Sequence, residues 1–179
     1  MQFEFKILDY LQTIHNPVLD STMIGVSALG DKGMIYIAFC LLLLLYPKTR
    51  RIGGYLSICL AIELFVCNGI IKPIVARPRP YTINPNVVLL TKAFKDYSFP
   101  SGHTTPAFAM AAGAFRLKRK DIGIVFLILG MIMAFSRMYL YMHFPTDILG
   151  AMILGSILGW VVCELVMRIE ERTKKKPAV

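Results

Sequence analysis

Charge is scarce in this chain. Asp, Glu, Lys and Arg make up only 17% of its 179 residues, where soluble domains carry roughly 25%. That shortage excludes a disordered segment, a coiled coil and a water-soluble enzyme. Cysteine is sparse too: Cys40, Cys59, Cys67 and Cys163 each lie inside an apolar block, with no Cys-x-x-Cys pair and no histidine at zinc-site spacing. They read as buried structural thiols, and no metal site is expected from them. The start, Met1-Gln2-Phe3-Glu4-Phe5, lacks a basic region leading into an apolar one, so a cleaved signal peptide is not expected. Internal repeats and low-complexity tracts are missing. So is any basic stripe with interleaved aromatics, and nucleic acid is therefore not an expected partner.

Apolar residues are abundant, at 56%, and they come in long blocks broken by short charged punctuation. The predicted fold is all-α: a polytopic membrane protein with a bundle of six transmembrane helices near 18–30, 34–46, 52–71, 103–115, 122–140 and 147–167. A helix needs about 20 residues to cross a hydrocarbon core of about 30 Å. The third, fifth and sixth segments meet that, and the other three must borrow flanking polar residues. Ahead of Asn16, Phe3, Phe5, Ile7, Leu8 and Leu11 alternate with Glu4, Lys6 and Asp9, which predicts an amphipathic helix on the membrane surface. The expected division is 1–16 interfacial helix, 17–168 transmembrane domain and 169–179 basic tail.

The net charge of +9 is unevenly placed. Lys48, Arg50 and Arg51 join segments two and three. Arg116, Lys118, Arg119 and Lys120 join four and five, and Arg168, Arg172, Lys174, Lys175 and Lys176 follow six. The positive-inside rule makes these three regions cytoplasmic. Apart from Lys6, the remaining cations are Lys32, Lys72, Arg77, Arg79, Lys92, Lys95 and Arg137. All seven fall at the opposite face, where topology needs none.

Three short stretches converge there: Lys72 with Arg79-Pro80, then Pro100-Ser101-Gly102-His103, then Ser136-Arg137 with His143 and Asp147. Lys offers a point charge and Arg a planar fork that matches phosphate oxygens. A unit pair at 4 Å is worth about 4 kcal/mol at an effective dielectric of 20, so crowded cations imply a polyanionic ligand. Ser101 and Gly102 open a helix, where free backbone N–H groups attract an anionic oxygen. His143 and Asp147 are one helical turn apart, so the carboxylate could hold one ring nitrogen protonated and free the other for attack. His103 has no such partner nearby and could protonate a leaving alkoxide. Each stretch alone has an ordinary reading, as a capping pair, a common helix start or a stiff interfacial loop. Together they read as a phosphate site.

The stretches resemble the signature of the type 2 phosphatidic acid phosphatase family, membrane lipid phosphatases whose site is shared with vanadium haloperoxidases. The resemblance implies hydrolysis of a phosphomonoester or diphosphate on a lipid through a phosphohistidine, with no metal and no cofactor. It implies His143 as nucleophile oriented by Asp147, and His103 as acid and then base. Lys72, Arg79, Ser101, Gly102 and Arg137 would bind the phosphate. The implied partners are the lipid phosphate substrate and membrane lipids. The implied location is a bacterial cytoplasmic membrane, with the site on the extracytoplasmic face and the C-terminus in the cytoplasm. Two substrate classes are open, phosphatidate- or phosphatidylglycerophosphate-like glycerolipids and undecaprenyl (polyprenyl) diphosphate. A transporter of a phosphorylated anion is the alternative of another class, with Glu63 as proton relay.

Five features lie outside the signature. Tyr141 stands where relatives often carry Gly and is expected to narrow the pocket. Arg77 is an extra cation, for a second phosphate or a headgroup. The loop over 81–99 either covers the substrate or anchors at the interface. Glu63 lies mid-segment, where a charge costs roughly 2.5–3.5 kcal/mol, and is expected to be neutral or bonded to a neighbouring helix. Asn68 is expected to steady the Lys72 ammonium.

Overall fold

The computed structural model describes residues 2–174, and among them all regular secondary structure is helical, without strands. Helix α1 spans Gln2–Thr13, α2 Pro17–Gly30 and α3 Met34–Leu45. Helix α4, Arg50–Leu64, runs through a π-helical stretch at Phe65–Ile71 into α5, Lys72–Val75. A short α6, Pro80–Ile83, precedes α7 at Thr105–Arg116, α8 at Lys120–Tyr139 and α9 at Pro145–Lys174. The predicted apolar segments coincide with these helices, the main difference being that α9 runs on beyond residue 167. Lys175 and Lys176 lie outside the described residues.

Four stretches are long and apolar enough to cross a membrane: Pro17–Leu45, Arg50–Ile83, Lys120–Tyr139 and Pro145–Lys174. The first of these is bent into α2 and α3 by Lys32 (φ 54°) and Gly33 (φ 73°), both left-handed. Their outward faces are apolar. On α9, Leu149, Ile153, Ile157 and Trp160 are exposed in one row, which marks an integral membrane protein whose outer surface meets lipid.

Helix α7 is the centre. Nine of its twelve residues are buried, and it packs against α9, α8 and α4. Small residues bring α7 and α9 into backbone contact. A Cβ on Gly155 would lie 2.4 Å from the Thr105 carbonyl oxygen, and one on Gly159 would lie 1.9 Å from that of Ala109. Around this seam Tyr36, Cys40, Leu56, Cys59, Phe108, Met110, Phe126 and Cys163 form the main apolar cluster, and all four cysteines are buried free thiols.

Helix α1 turns Glu4, Leu8 and Leu11 inward and packs on α8 and α9, with Leu8 against Tyr141 and Phe144. The basic regions predicted to share a side do share an end of the bundle. Lys48, Arg51, Arg116, Lys118 and Met167 line one cavity of about 340 Å³, and Arg51 donates to Glu170 at 2.9 Å.

Candidate active site

Helix direction decides what meets at the other end. Helix α4 leads to Lys72, α7 starts just after His103, α8 ends beyond Arg137, and α9 begins at Pro145. Pro73 has no N–H to offer the preceding turn, and that turn widens into π-geometry, so that the Lys72 N–H bonds the Cys67 carbonyl. Ala76 (φ 47°) then stops the helix. The Lys72 side chain is left buried and aimed at the loop between α6 and α7, where its ammonium donates to Asp96 Oδ2.

A cavity of about 270 Å³ is lined by Gly30, Lys32, Gly33, Leu64, Asn68, Lys72, Arg79, Phe94, Asp96, Gly102, His103 and His143. Arg79 spans it. Its Nη2 donates to Asp96 Oδ1 at 2.6 Å, its Nε to the Asp96 carbonyl at 3.0 Å and its Nη1 to the Met142 carbonyl at 3.0 Å. The same Nη1 lies 3.3 Å from His143 Nε2. Guanidinium nitrogens only donate, so this contact makes Nε2 the unprotonated nitrogen of His143 and puts the ring proton on Nδ1.

His143 precedes α9 rather than lying in it, and the pair with Asp147 is looser than one helical turn predicts. Nδ1 is 3.7 Å from Asp147 Oδ2, beyond hydrogen-bond reach. Ser98 stands beside both. Its hydroxyl donates to Asp147 Oδ2 and lies 3.5 Å from His143 Nδ1. The Phe144 N–H also donates to Oδ2, at 2.8 Å, so Asp147 reaches back from the first turn to the residue before its own helix, as the third helical residue of a capping box does. Burial, followed by the charges of Arg79, Arg137 and Lys72, holds the His143 pKa well below the usual histidine value. Burial alone would raise the Asp96 carboxyl, but its bond to Lys72 and the nearby Arg79 bring it down to about 2.

His103 does have a carboxylate partner. Asp31, in the turn between α2 and α3, sits 2.9 Å from its Nε2, and Tyr36 OH fixes the His103 carbonyl at 2.6 Å. Gly102 leaves room that a Cβ would take, with Asn68 Oδ1 at 3.2 Å and Lys72 Nζ at 3.5 Å. Arg137 is fully enclosed. Its Nη1 donates to Ser27, while Nε and Nη2 have no partner among the described residues. The Phe94 ring lies 5.1 Å from the Arg137 guanidinium and 5.0 Å from that of Arg79. Ser101 is buried against Thr104 at 3.1 Å and stays off the cavity wall.

Three expectations change. Tyr141 does not narrow the pocket. Its hydroxyl points away, donating to Asp9 at 2.7 Å and accepting from Asn84 at 3.1 Å, and its φ of 59° shows why glycine suits the position. Arg77 holds no free anion: it donates to Thr146 and Asp147 at 2.6 Å and to both Glu4 oxygens at 2.9–3.0 Å, stacked on Phe144. Lys72 is held by Asp96, whereas the Asn68 amide bonds the Leu64 carbonyl. Of the two alternatives for Glu63, a bond to a neighbouring helix is absent among the described residues, and the residue is fully buried. As for the loop, Leu89, Leu90 and Phe94 pack beside Met23, Tyr139 and Met142, while Val88 stays 84% exposed.

The fold and site together define an integral membrane phosphatase, a hydrolase of lipid phosphates. Residues 52–171 match the profile of the PAP2 superfamily, and the chain belongs to that superfamily. An undecaprenyl-diphosphatase of Sulfolobus acidocaldarius is 30% identical, across 95% of this chain and 82% of that protein. A Bacillus subtilis undecaprenyl-diphosphatase is also 30% identical, across 91% and 90%. The crystal structure of a transmembrane PAP2-type phosphatidylglycerolphosphate phosphatase from Bacillus subtilis shares the fold, with a TM-score of 0.76 at 24% identity over 94% of this chain and 86% of that one.

Proposed function

We propose that the protein removes the terminal phosphate of a polyprenyl diphosphate such as undecaprenyl diphosphate, through a phosphohistidine and without a metal. What supports the reading is the cavity lined by Lys72, Arg79, Gly102, His103 and His143. The two diphosphatases similar over nearly the whole chain turn it toward a diphosphate.

His143 Nε2 attacks the terminal phosphorus, and the bond to the bridging oxygen breaks. His103, paired with Asp31, gives its proton to that oxygen as the lipid monophosphate leaves. His103 then takes a proton from water, the water oxygen attacks phosphorus, and the N–P bond breaks to free inorganic phosphate. Lys72, Arg79, Arg137 and the Gly102 N–H hold the charge that builds on the phosphoryl oxygens. Asp147 and Ser98 orient His143, and Ser101 supports the turn beside Gly102.

In the membrane all six apolar segments cross. α7 manages this with about 18 Å of helix because protein rather than lipid surrounds it. α1 lies in the interface with Phe3 and Tyr10 outward, and the site opens on the extracytoplasmic face above a cytoplasmic C-terminus. Residues 17–168 form the catalytic unit and 169–179 a basic tail.

The test is inorganic phosphate release in detergent with EDTA from farnesyl diphosphate, undecaprenyl diphosphate, phosphatidate and phosphatidylglycerophosphate, with wild type and His143→Ala. Metal-free release that prefers the diphosphates and vanishes in the variant is expected. Release that survives His143→Ala overturns the mechanism, and a preference for the glycerolipids overturns the substrate.

A further inference from the structure

The mechanism leaves Asp96 without a task, yet its carboxylate sits in the middle of the cationic site. One oxygen accepts from Lys72 and the other from Arg79 Nη2 at 2.6 Å. Both cations are buried, while the Asp96 side chain is 46% exposed at the cavity mouth. The next nitrogen of the same guanidinium, Nη1, is the one beside His143 Nε2. A carboxylate held between these two groups has the shape and spacing of one edge of a phosphate. Nothing else holds its two oxygens among the described residues. With its pKa at about 2, the group is ionised at any working pH.

We propose that Asp96 is a built-in competitor for the phosphate cradle, displaced by a terminal phosphate and not by a phosphodiester. The idea rests on the phosphatase reading and adds to it a means of selection. A membrane lipid phosphatase is surrounded by phosphodiester headgroups, each a monoanion with two free oxygens. Exchanging the Asp96 carboxylate for such a diester swaps like for like, with no gain in charge or in hydrogen bonds. A terminal phosphate carries about −1.5 to −2 charges at pH 7 and three free oxygens. It replaces both Asp96 contacts and keeps an oxygen for donors the carboxylate leaves unmet. Arg137 has such donors, since its Nε and Nη2 are unpartnered among the described residues and its guanidinium lies 5.1 Å from the same Phe94 ring that Arg79 touches. Asp96 lies in the loop between α6 and α7, so the displaced carboxylate can swing toward solvent without disturbing a helix.

The test is equilibrium binding to the full chain in detergent, read by thermal shift, so it does not depend on turnover. The probes are inorganic phosphate and dimethyl phosphate, applied to wild type, Asp96→Asn and Asp96→Ala. Wild type is expected to bind phosphate and to ignore dimethyl phosphate. Removing the competing charge should tighten phosphate on the order of tenfold and make dimethyl phosphate a measurable ligand that competes with it. Unchanged or weaker phosphate binding in both variants overturns the proposal, because Asp96 would then be positioning Lys72 and Arg79. Loss of the fold in both variants overturns it too, since a displaceable group holds nothing together. Absence of phosphate release by wild type, with these binding results intact, would count against the enzyme reading alone.

Discussion

Ser98→Ala removes one oxygen atom from a fully enclosed position and isolates the link between His143 and Asp147. The wild-type hydroxyl donates to Asp147 Oδ2 and fills the gap beside the 3.7 Å separation between carboxylate and imidazole. A hydrogen bond to a charged group is worth about 1.5–3 kcal/mol, and tenfold in rate corresponds to about 1.4 kcal/mol. If that bond orients the nucleophile in the transition state, kcat falls roughly 10–100-fold. KM stays near wild type, since Lys72, Arg79 and Arg137 do not touch Ser98. Asp147 keeps the Phe144 N–H and Arg77 as partners, so the fold survives. The assay is inorganic phosphate release from farnesyl diphosphate in detergent, with kcat and KM resolved separately and Ser98→Thr as the conservative rescue. A kcat within about twofold of wild type, or a loss carried by KM alone, would refute the reasoning.

His143 gives a prediction about pH. Because burial and the surrounding cations lower its pKa, the ring loses its proton at lower pH than usual and is already a free base in mildly acidic solution. The acid limb of kcat/KM, corrected for titration of the substrate phosphate, should therefore lie below about 6.5, and a midpoint at or above that value contradicts it. Gly159 gives a prediction about packing. A Cβ there meets the Ala109 carbonyl oxygen at 1.9 Å, so Gly159→Ala should cost about 1–3 kcal/mol or more, seen as a lower melting temperature in detergent. Gly25→Ala, with nothing within 4 Å, should leave it unchanged, and equal melting of the two variants would remove the close-packing argument.

Apolar block lengths located the helices, because a segment facing lipid must be apolar whatever its partners are. Two cations of the cavity, Lys72 and Arg79, were legible for a related reason, since they, like Arg137, stood where the positive-inside rule asks for no positive charge. The anions were not. Glu4, Asp9, Asp20, Asp31 and Asp96 pair with Arg77, Tyr141, Tyr139, His103 and Lys72 respectively, each from a distant stretch. Topology puts no requirement on acidic residues, so a cluster of them at the same face was a signal that counting cations alone passes over. Ser98 had no signal of its own, as its role depends on a loop folding back over α9. Gly155 and Gly159, four residues apart in an apolar block, were a readable helix-contact pattern. The 3.7 Å gap at His143 was not readable, because Pro145 begins the helix after His143 and the expected single turn does not include both residues.

The enclosure of α7 has a mechanical consequence. A helix exposed to lipid tilts or bends when bilayer thickness changes, at a cost of fractions of a kcal/mol per Å. Here the segment that begins beside Gly102 and His103 is wrapped by α4, α8 and α9 and has little contact with the solvent that varies. A thicker or thinner bilayer acts first on the lipid-facing sides of the outer helices, and His143, at the head of one of them, stays tied to α7 through the close contacts of Gly155 and Gly159. Gly102 and His103 are, in effect, mounted on the inner ring of a bearing whose outer ring follows the membrane.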